Sequence, residues 1–191
     1  AADSILNDLP VLSFGSNSTY LEVQGAPFTV KQIFTVMRSI SSKFSNYGAI
    51  YGGPSRLYLF ESGQTYFHQK PDGLKKNNID ITSSNFDLEM IDEFMLLNIN
   101  ESGNTTSQTH YINRSESYSH TAEIAEILVF DTVLSEEEAS AVTLYLSKKW
   151  GLSHMIDSDD DEILDNVDYM HADIPLNNPP VFETIPSKIA D

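Results

Sequence analysis

The chain has 191 residues, 28 acidic against 11 basic, for a net charge of −17, and it contains no cysteine. That length holds one domain of ordinary size plus an appendage. The charge argues against unaided binding to nucleic acid or to an anionic membrane, the lack of thiols excludes disulfides and cysteine zinc sites, and no run is apolar enough to span a bilayer as a helix.

Residues 1–10 read as a lead-in. Strands are expected at residues 11–14, 20–23, 29–40 (one long buried strand), 48–53, 56–60, 66–69, 79–81 and 94–99. These segments are rich in β-branched and aromatic residues, and turn chemistry such as Gly52-Gly53-Pro54, Pro71-Asp72-Gly73 and Glu101-Ser102-Gly103-Asn104 separates them. Short strands at this spacing predict an all-β sandwich.

Two stretches, residues 51–56 and 98–120, are rich in Gly, Ser, Thr, Asn and Tyr and are expected as loops at one end of the sandwich. Such loops supply adaptable hydrogen bonds and flat aromatic contact, which makes Tyr51, Gly52, Gly53, Ser55 and Arg56 candidate ligand contacts. Arg56 is one of three arginines and suits bidentate recognition of a carboxylate. Ordinary solvated turns are the competing reading.

Catalysis finds little support. Asp87, Glu89, Asp92 and Glu93 invite comparison with the paired carboxylates of sandwich-fold glycosidases. On a strand, however, Asp87, Glu89 and Glu93 share one face while Asp92 points away, and the E-x-D-x-x-E spacing is absent. His68, His110, His120, His154 and His171 lack metal-binding spacing and are expected at exposed or strand-end positions. Four N-x-S/T sequons, at Asn17, Asn100, Asn104 and Asn113, are expected by chance in so Asn/Ser-rich a chain.

Residues 122–152 carry the strongest pattern. Ile124, Ala125, Ile127, Leu128, Val129 and Phe130 form a nearly continuous apolar run, expected of a strand covered on both faces. Ser135 and Glu138 then have the spacing of a capping box, with Glu136 and Glu137 at the positive end of the helix dipole and Lys148 and Lys149 at its other end. Ala139, Val142, Leu146 and Trp150 share one face with Tyr145 beside them, and Gly151 is placed to stop the helix. The segments IAEILVFD, LSEEE and LSKKWGL resemble the closing element of the laminin-G-like, concanavalin A-like sandwich family, and LSFGSNSTYLEV and FTVKQIFTVMR resemble its opening strands. The resemblance covers residues 11–152. It implies a jelly-roll sandwich, at residues 11–154, with one short C-terminal amphipathic helix, and it leaves the ligand open.

Residues 155–170 are acidic. Asp157, Asp159, Asp161, Asp165 and Asp168 occupy positions 1, 3, 5, 9 and 12 of a twelve-residue loop, with the Ile163 carbonyl at position 7, the ligand schedule of an EF-hand-type calcium loop. The D-x-D-x-D repeat resembles those of thrombospondin type 3 and dockerin modules. Glu162 stands where glycine normally makes the sharp turn, Asp160 replaces another frequent glycine, and Asp168 is one methylene shorter than the usual Glu. A solvated acidic linker is the alternative.

Residues 171–191 are proline-rich and expected as an extended linker, PPVFETIP resembling the opening strand of a cadherin-like or immunoglobulin-like module. The whole pattern resembles the peptide-binding domains of giant RTX adhesins of marine bacteria. That resemblance implies a monomeric, non-catalytic module at the bacterial cell surface. It also implies Ca2+ as cofactor and capture of the C-terminal carboxylate of a cell-surface peptide, with neither nucleic acid nor membrane insertion. A calcium-dependent glycan lectin of the same fold, or a structural spacer, remains the alternative.

Overall fold

The structure, a computed structural model, describes residues 5–15, 19–40, 48–52, 59–60, 72–81, 93–100, 106–115, 118–119 and 121–168. The strands expected at 66–69 and the carboxylates Asp87, Glu89 and Asp92 lie outside these residues. In chain order the strands are β1 (Ile5–Leu6), β2 (Leu9–Pro10), β3 (Leu12–Phe14), β4 (Leu21–Thr29), β5 (Gln32–Ser39), β6 (Gly48–Ala49), β7 (Tyr51–Gly52), β8 (Leu59–Phe60), β9 (Gly73–Lys76) and β10 (Ile79–Asp80). They continue as β11 (Met95–Asn100), β12 (Thr106–Ile112), β13 (Arg114–Ser115), β14 (Tyr118–Ser119) and β15 (Ala122–Phe130), followed by helix α1 (Glu136–Trp150).

The protein is an all-β sandwich with one helix. A six-stranded antiparallel sheet, order β10-β9-β11-β5-β15-β3, faces a three-stranded antiparallel sheet, order β4-β12-β7. Alternation along the central strand β5 explains the layering. Ile33 and Met37 enter a core shared with Ile50 and Tyr51 of the smaller sheet's side, while Phe34 and Val36 enter a second core with Val142, Leu146 and Trp150 of α1. A strand apolar on both faces is thereby buried on both.

The helix forms as its sequence dictates. Ser135 Oγ accepts from the Glu138 amide at 3.3 Å, and the Glu138 carboxylate accepts from the Ser135 amide at 2.9 Å. The bonds its carboxylate accepts from the Ser135 amide and the Ser135 hydroxyl hold the Glu138 carboxyl below its ordinary pKa. Gly151 ends the helix at φ 70°. Its missing side chain also leaves room for Asn7, whose Nδ2 donates to the Lys149 carbonyl at 2.9 Å, so an added Cβ would lie 3.2 Å from Asn7.

Three expectations are corrected. The long strand at 29–40 is two strands: Thr29 pairs with Thr106 in the small sheet, Gln32 with Asn100 and Phe130 in the large one, and the chain changes sheets at Val30 and Lys31. The stretch 98–120, expected as loop, contains β12; its Tyr111 and Ile112 pair with Glu22 and Leu21 on one side and Gly52 and Tyr51 on the other. The lead-in contains the β1–β2 hairpin, whose turn residues Asn7 and Asp8 have φ of 50° and 62°, and Leu6, Leu9 and Val11 pack against the helix-side core.

Candidate functional site

The acidic loop begins where the helix-side core ends. Ile156 is fully buried in that core, which fixes the chain one residue before Asp157. Asn78, in the Asn77-Asn78 turn between β9 and β10, donates from Nδ2 to the Asp157 carbonyl at 2.8 Å, holding the loop from its other side.

From there the loop wraps around one carboxylate. Asp157 Oδ1 accepts from the amides of Asp160 at 2.8 Å and Asp161 at 3.3 Å, and Oδ2 accepts from that of Glu162 at 2.8 Å. Asp161 Oδ1 accepts from the Ile163 amide at 2.9 Å. Asp160 and Glu162 take φ of 63° and 70°, the left-handed conformation that glycine would adopt without penalty. This winding brings one carboxylate oxygen each from Asp157, Asp159 and Asp161 within 4.8 Å of one another. Three convergent oxygens suit a hard divalent cation, whose remaining positions other oxygens or water would fill.

Asp165 is turned the other way. Its Oδ1 accepts from Ser158 N at 2.9 Å and Ser158 Oγ at 2.8 Å, and its Oδ2 accepts from Ser147 Oγ on α1. With Ser147 and Ser158 fully buried, this carboxylate is a bolt between loop and helix. Asp168 is also buried, and its amide donates to the Leu164 carbonyl at 3.0 Å. Of the six residues singled out by ligand spacing, the structure gathers Asp157, Asp159 and Asp161, directs Asp165 inward, and leaves Ile163 on the exposed rim. Loop spacing counts residues and cannot tell which carboxylate a serine on the preceding helix and another in the loop itself will claim.

The second candidate surface divides differently. Tyr51 is buried in the inter-sheet core, its ring 5.7 Å from that of His110 at 28°, and burial raises its hydroxyl pKa strongly. It fills the sandwich instead of offering a ring to solvent, and His110, expected exposed, is buried with it. Gly52 sits opposite Tyr111; Gly53, Ser55 and Arg56 lie outside the described residues. Sequence reasoning overlooked the neighbouring group of Tyr20, Tyr111 and Arg114. The rings of Tyr20 and Tyr111 meet edge to face at 5.7 Å, and the Arg114 guanidinium lies 4.1 Å from the centre of the Tyr20 ring. The alternation of His110 in and Tyr111 out along β12 was the available signal. Asn113 is buried, with Nδ2 donating to the Thr19 carbonyl at 3.0 Å, so that sequon is not open to a glycan in the folded chain.

Comparison with protein-family models, with curated proteins and with solved structures finds no match to this chain.

Proposed function

We propose that this chain is a non-catalytic, calcium-dependent recognition module of a bacterial surface adhesin, working outside the cell and built on a concanavalin A-like jelly roll. The carrying observation is the convergence of Asp157, Asp159 and Asp161 in a loop bolted to the sandwich through Asp165. Calcium in that loop would neutralise mutually repelling carboxylates and stiffen the point where the chain leaves the sandwich. The peptide part of the reading rests on the sequence resemblance and on electrostatics. A protein of net charge −17 binds a carboxylate only with a local cation to offset the repulsion, so capture of a peptide C-terminus and dependence on calcium belong together.

A glycan ligand is the second reading, favoured by the half-exposed Tyr20 and Tyr111 rings with Arg114 stacked beside them. Calorimetry separates the two. Titration with a short free-acid peptide, with its C-terminal amide and with simple sugars, each in calcium and in EDTA, should give heat for the free acid alone and only with calcium. Binding of the amide equal to that of the acid, or sugar binding without peptide binding, would sink the peptide reading.

A further inference from the structure

The chain is fastened to the same turn of one helix on its way into the sandwich and on its way out. Going in, Leu6, Leu9 and Val11 pack on the helix-side core, and Asn7 Nδ2 donates to the Lys149 carbonyl at 2.9 Å, across the space that Gly151 leaves open. Coming out, Leu152 and Ile156 are buried in that core, and Ser147 Oγ donates to Asp165 Oδ2. Ser147 and Lys149 both lie in the last turn of α1. The outgoing segment is also closed on itself. The Asp165 amide donates to the Ile156 carbonyl at 2.8 Å, the Asn166 amide to the Ser153 carbonyl at 3.1 Å, and Ser158 donates to Asp165 Oδ1 from both its amide and its hydroxyl. These bonds join hairpin, helix and loop to one another and involve no residue in a strand of the six-stranded or the three-stranded sheet.

We propose that the last turn of α1 is a tension-bearing clasp: a pull on the chain before Ile5 and after Asp168 is carried from Asn7 through Lys149 and Ser147 to Asp165 and by-passes the sheets. A pull first loads the shortest bonded route between its two points of application. Here that route crosses part of one helical turn, whereas the covalent route runs from β3 through every later strand to α1. The sandwich therefore hangs beside the load, and a surface it presents keeps its shape while the chain is under tension. That the chain is pulled in its working state rests on the adhesin reading above; the load path rests on the bonds alone.

Single-molecule stretching of the full chain tests the path, and because the chain has no cysteine, one added at each end gives a unique handle. Working in EDTA keeps the outcome independent of whether calcium binds. Rupture should come in two steps. The first frees residues 5–11 and 153–168, at most about 80 Å of extended chain, and the second, larger one frees the sandwich. Asn7→Gly, which keeps the left-handed backbone at that position, combined with Ser147→Ala removes one bond from each fastening. At constant force the first rupture should then come on the order of tenfold sooner, with the lifetime of the second step unchanged. Thr35→Val removes a bond from Thr35 Oγ1 to the Glu126 carbonyl in the middle of the large sheet and should shorten the second step alone. A single rupture that frees the whole chain, a first step as long-lived in the Asn7/Ser147 variant as in the unaltered protein, or a first step shortened by Thr35→Val would place the load on the sheets and overturn the proposal.

Discussion

Glu162 shows how a single residue records a compromise. The loop needs a left-handed residue at its sixth position so that the Glu162 amide can reach Asp157 Oδ2, and the chain supplies a glutamate at φ 70°. A side chain in that conformation costs roughly 1–2 kcal/mol, while glycine gives back up to about 1 kcal/mol through the entropy of the unfolded chain. Glu162→Gly should therefore raise stability by about 0.5–1 kcal/mol in urea unfolding. Glu162→Ala removes the same charge but keeps the strain, and it should gain less. Equal gains would assign the effect to charge repulsion and reject backbone strain. The substitution for glycine was visible in the sequence as a departure from the calcium-loop pattern. The inward turn of Asp165 was not, because its partner Ser147 lies 18 positions away on a face of α1 that periodicity marks only as buried.

Elements dock here through a defect in a strand. The pairing of β15 with β5 runs Ile124 to Met37 and then Glu126 to Val36, so Ala125 is an extra residue and the register slips by one. Side chains before and after such a bulge are re-aimed. Ile124 faces the inter-sheet core, whereas Ala125 and Glu126 both face α1. Glu126 there accepts from Trp150 Nε1 at 2.6 Å, Lys149 Nζ at 2.9 Å and Tyr145 Oη at 3.3 Å, and Lys149 also donates to Tyr145 Oη at 2.8 Å. Burial lowers the Lys149 pKa, but the bonds to Tyr145 and Glu126 and their charge outweigh it and leave it raised. Stability from this lysine is thus complete below the ordinary lysine pKa near 10.4 and is lost as pH climbs through the raised value. Glu126→Gln presents an amide N–H2 to donors that need an acceptor and should cost about 1–3 kcal/mol. The single tryptophan reports the change directly, through a red-shifted emission if Trp150 loosens from the sheet. An unaltered spectrum with unaltered stability would show that packing alone holds the helix. Helix, caps and the two-faced strand were legible because each is a local pattern. The bulge was not, since a nearly continuous apolar run hides one extra residue, and β12 was not, since its residues are mostly polar, with His110 buried and Ile112 partly so.

Taken whole, the chain has a net charge of −17, and two kinds of carboxylate stand out among the described residues. Asp165 and Glu123 are buried with hydrogen-bond donors, Ser147 and Ser158 for the first and Arg38 for the second. Asp159 and Asp161 are exposed and lie beside Asp157. The two kinds should respond oppositely to solution conditions. Raising monovalent salt from 10 to 150 mM shortens the screening length from about 30 to about 8 Å, which should stabilise the protein by relieving general repulsion. At fixed ionic strength, calcium at one hundred times its dissociation constant should add about 2.7 kcal/mol if it binds only the native state. In a chain of this length that is a rise of roughly 5–10 °C in melting temperature. Asp159→Asn with Asp161→Asn should abolish the calcium increment and leave metal-free stability unchanged or higher, because it removes repulsion and keeps an oxygen acceptor on each side chain. Asp165→Ala should do the reverse in EDTA, costing about 1–3 kcal/mol because the buried Ser158 amide and hydroxyl lose their acceptor. Scanning calorimetry of the three proteins in calcium and in EDTA reads all of this. A melting temperature in calcium that tracks ionic strength alone, identical in the unaltered protein and the Asp159/Asp161 variant, would reduce the cluster to a solvated acidic face and remove the basis for calcium-dependent recognition.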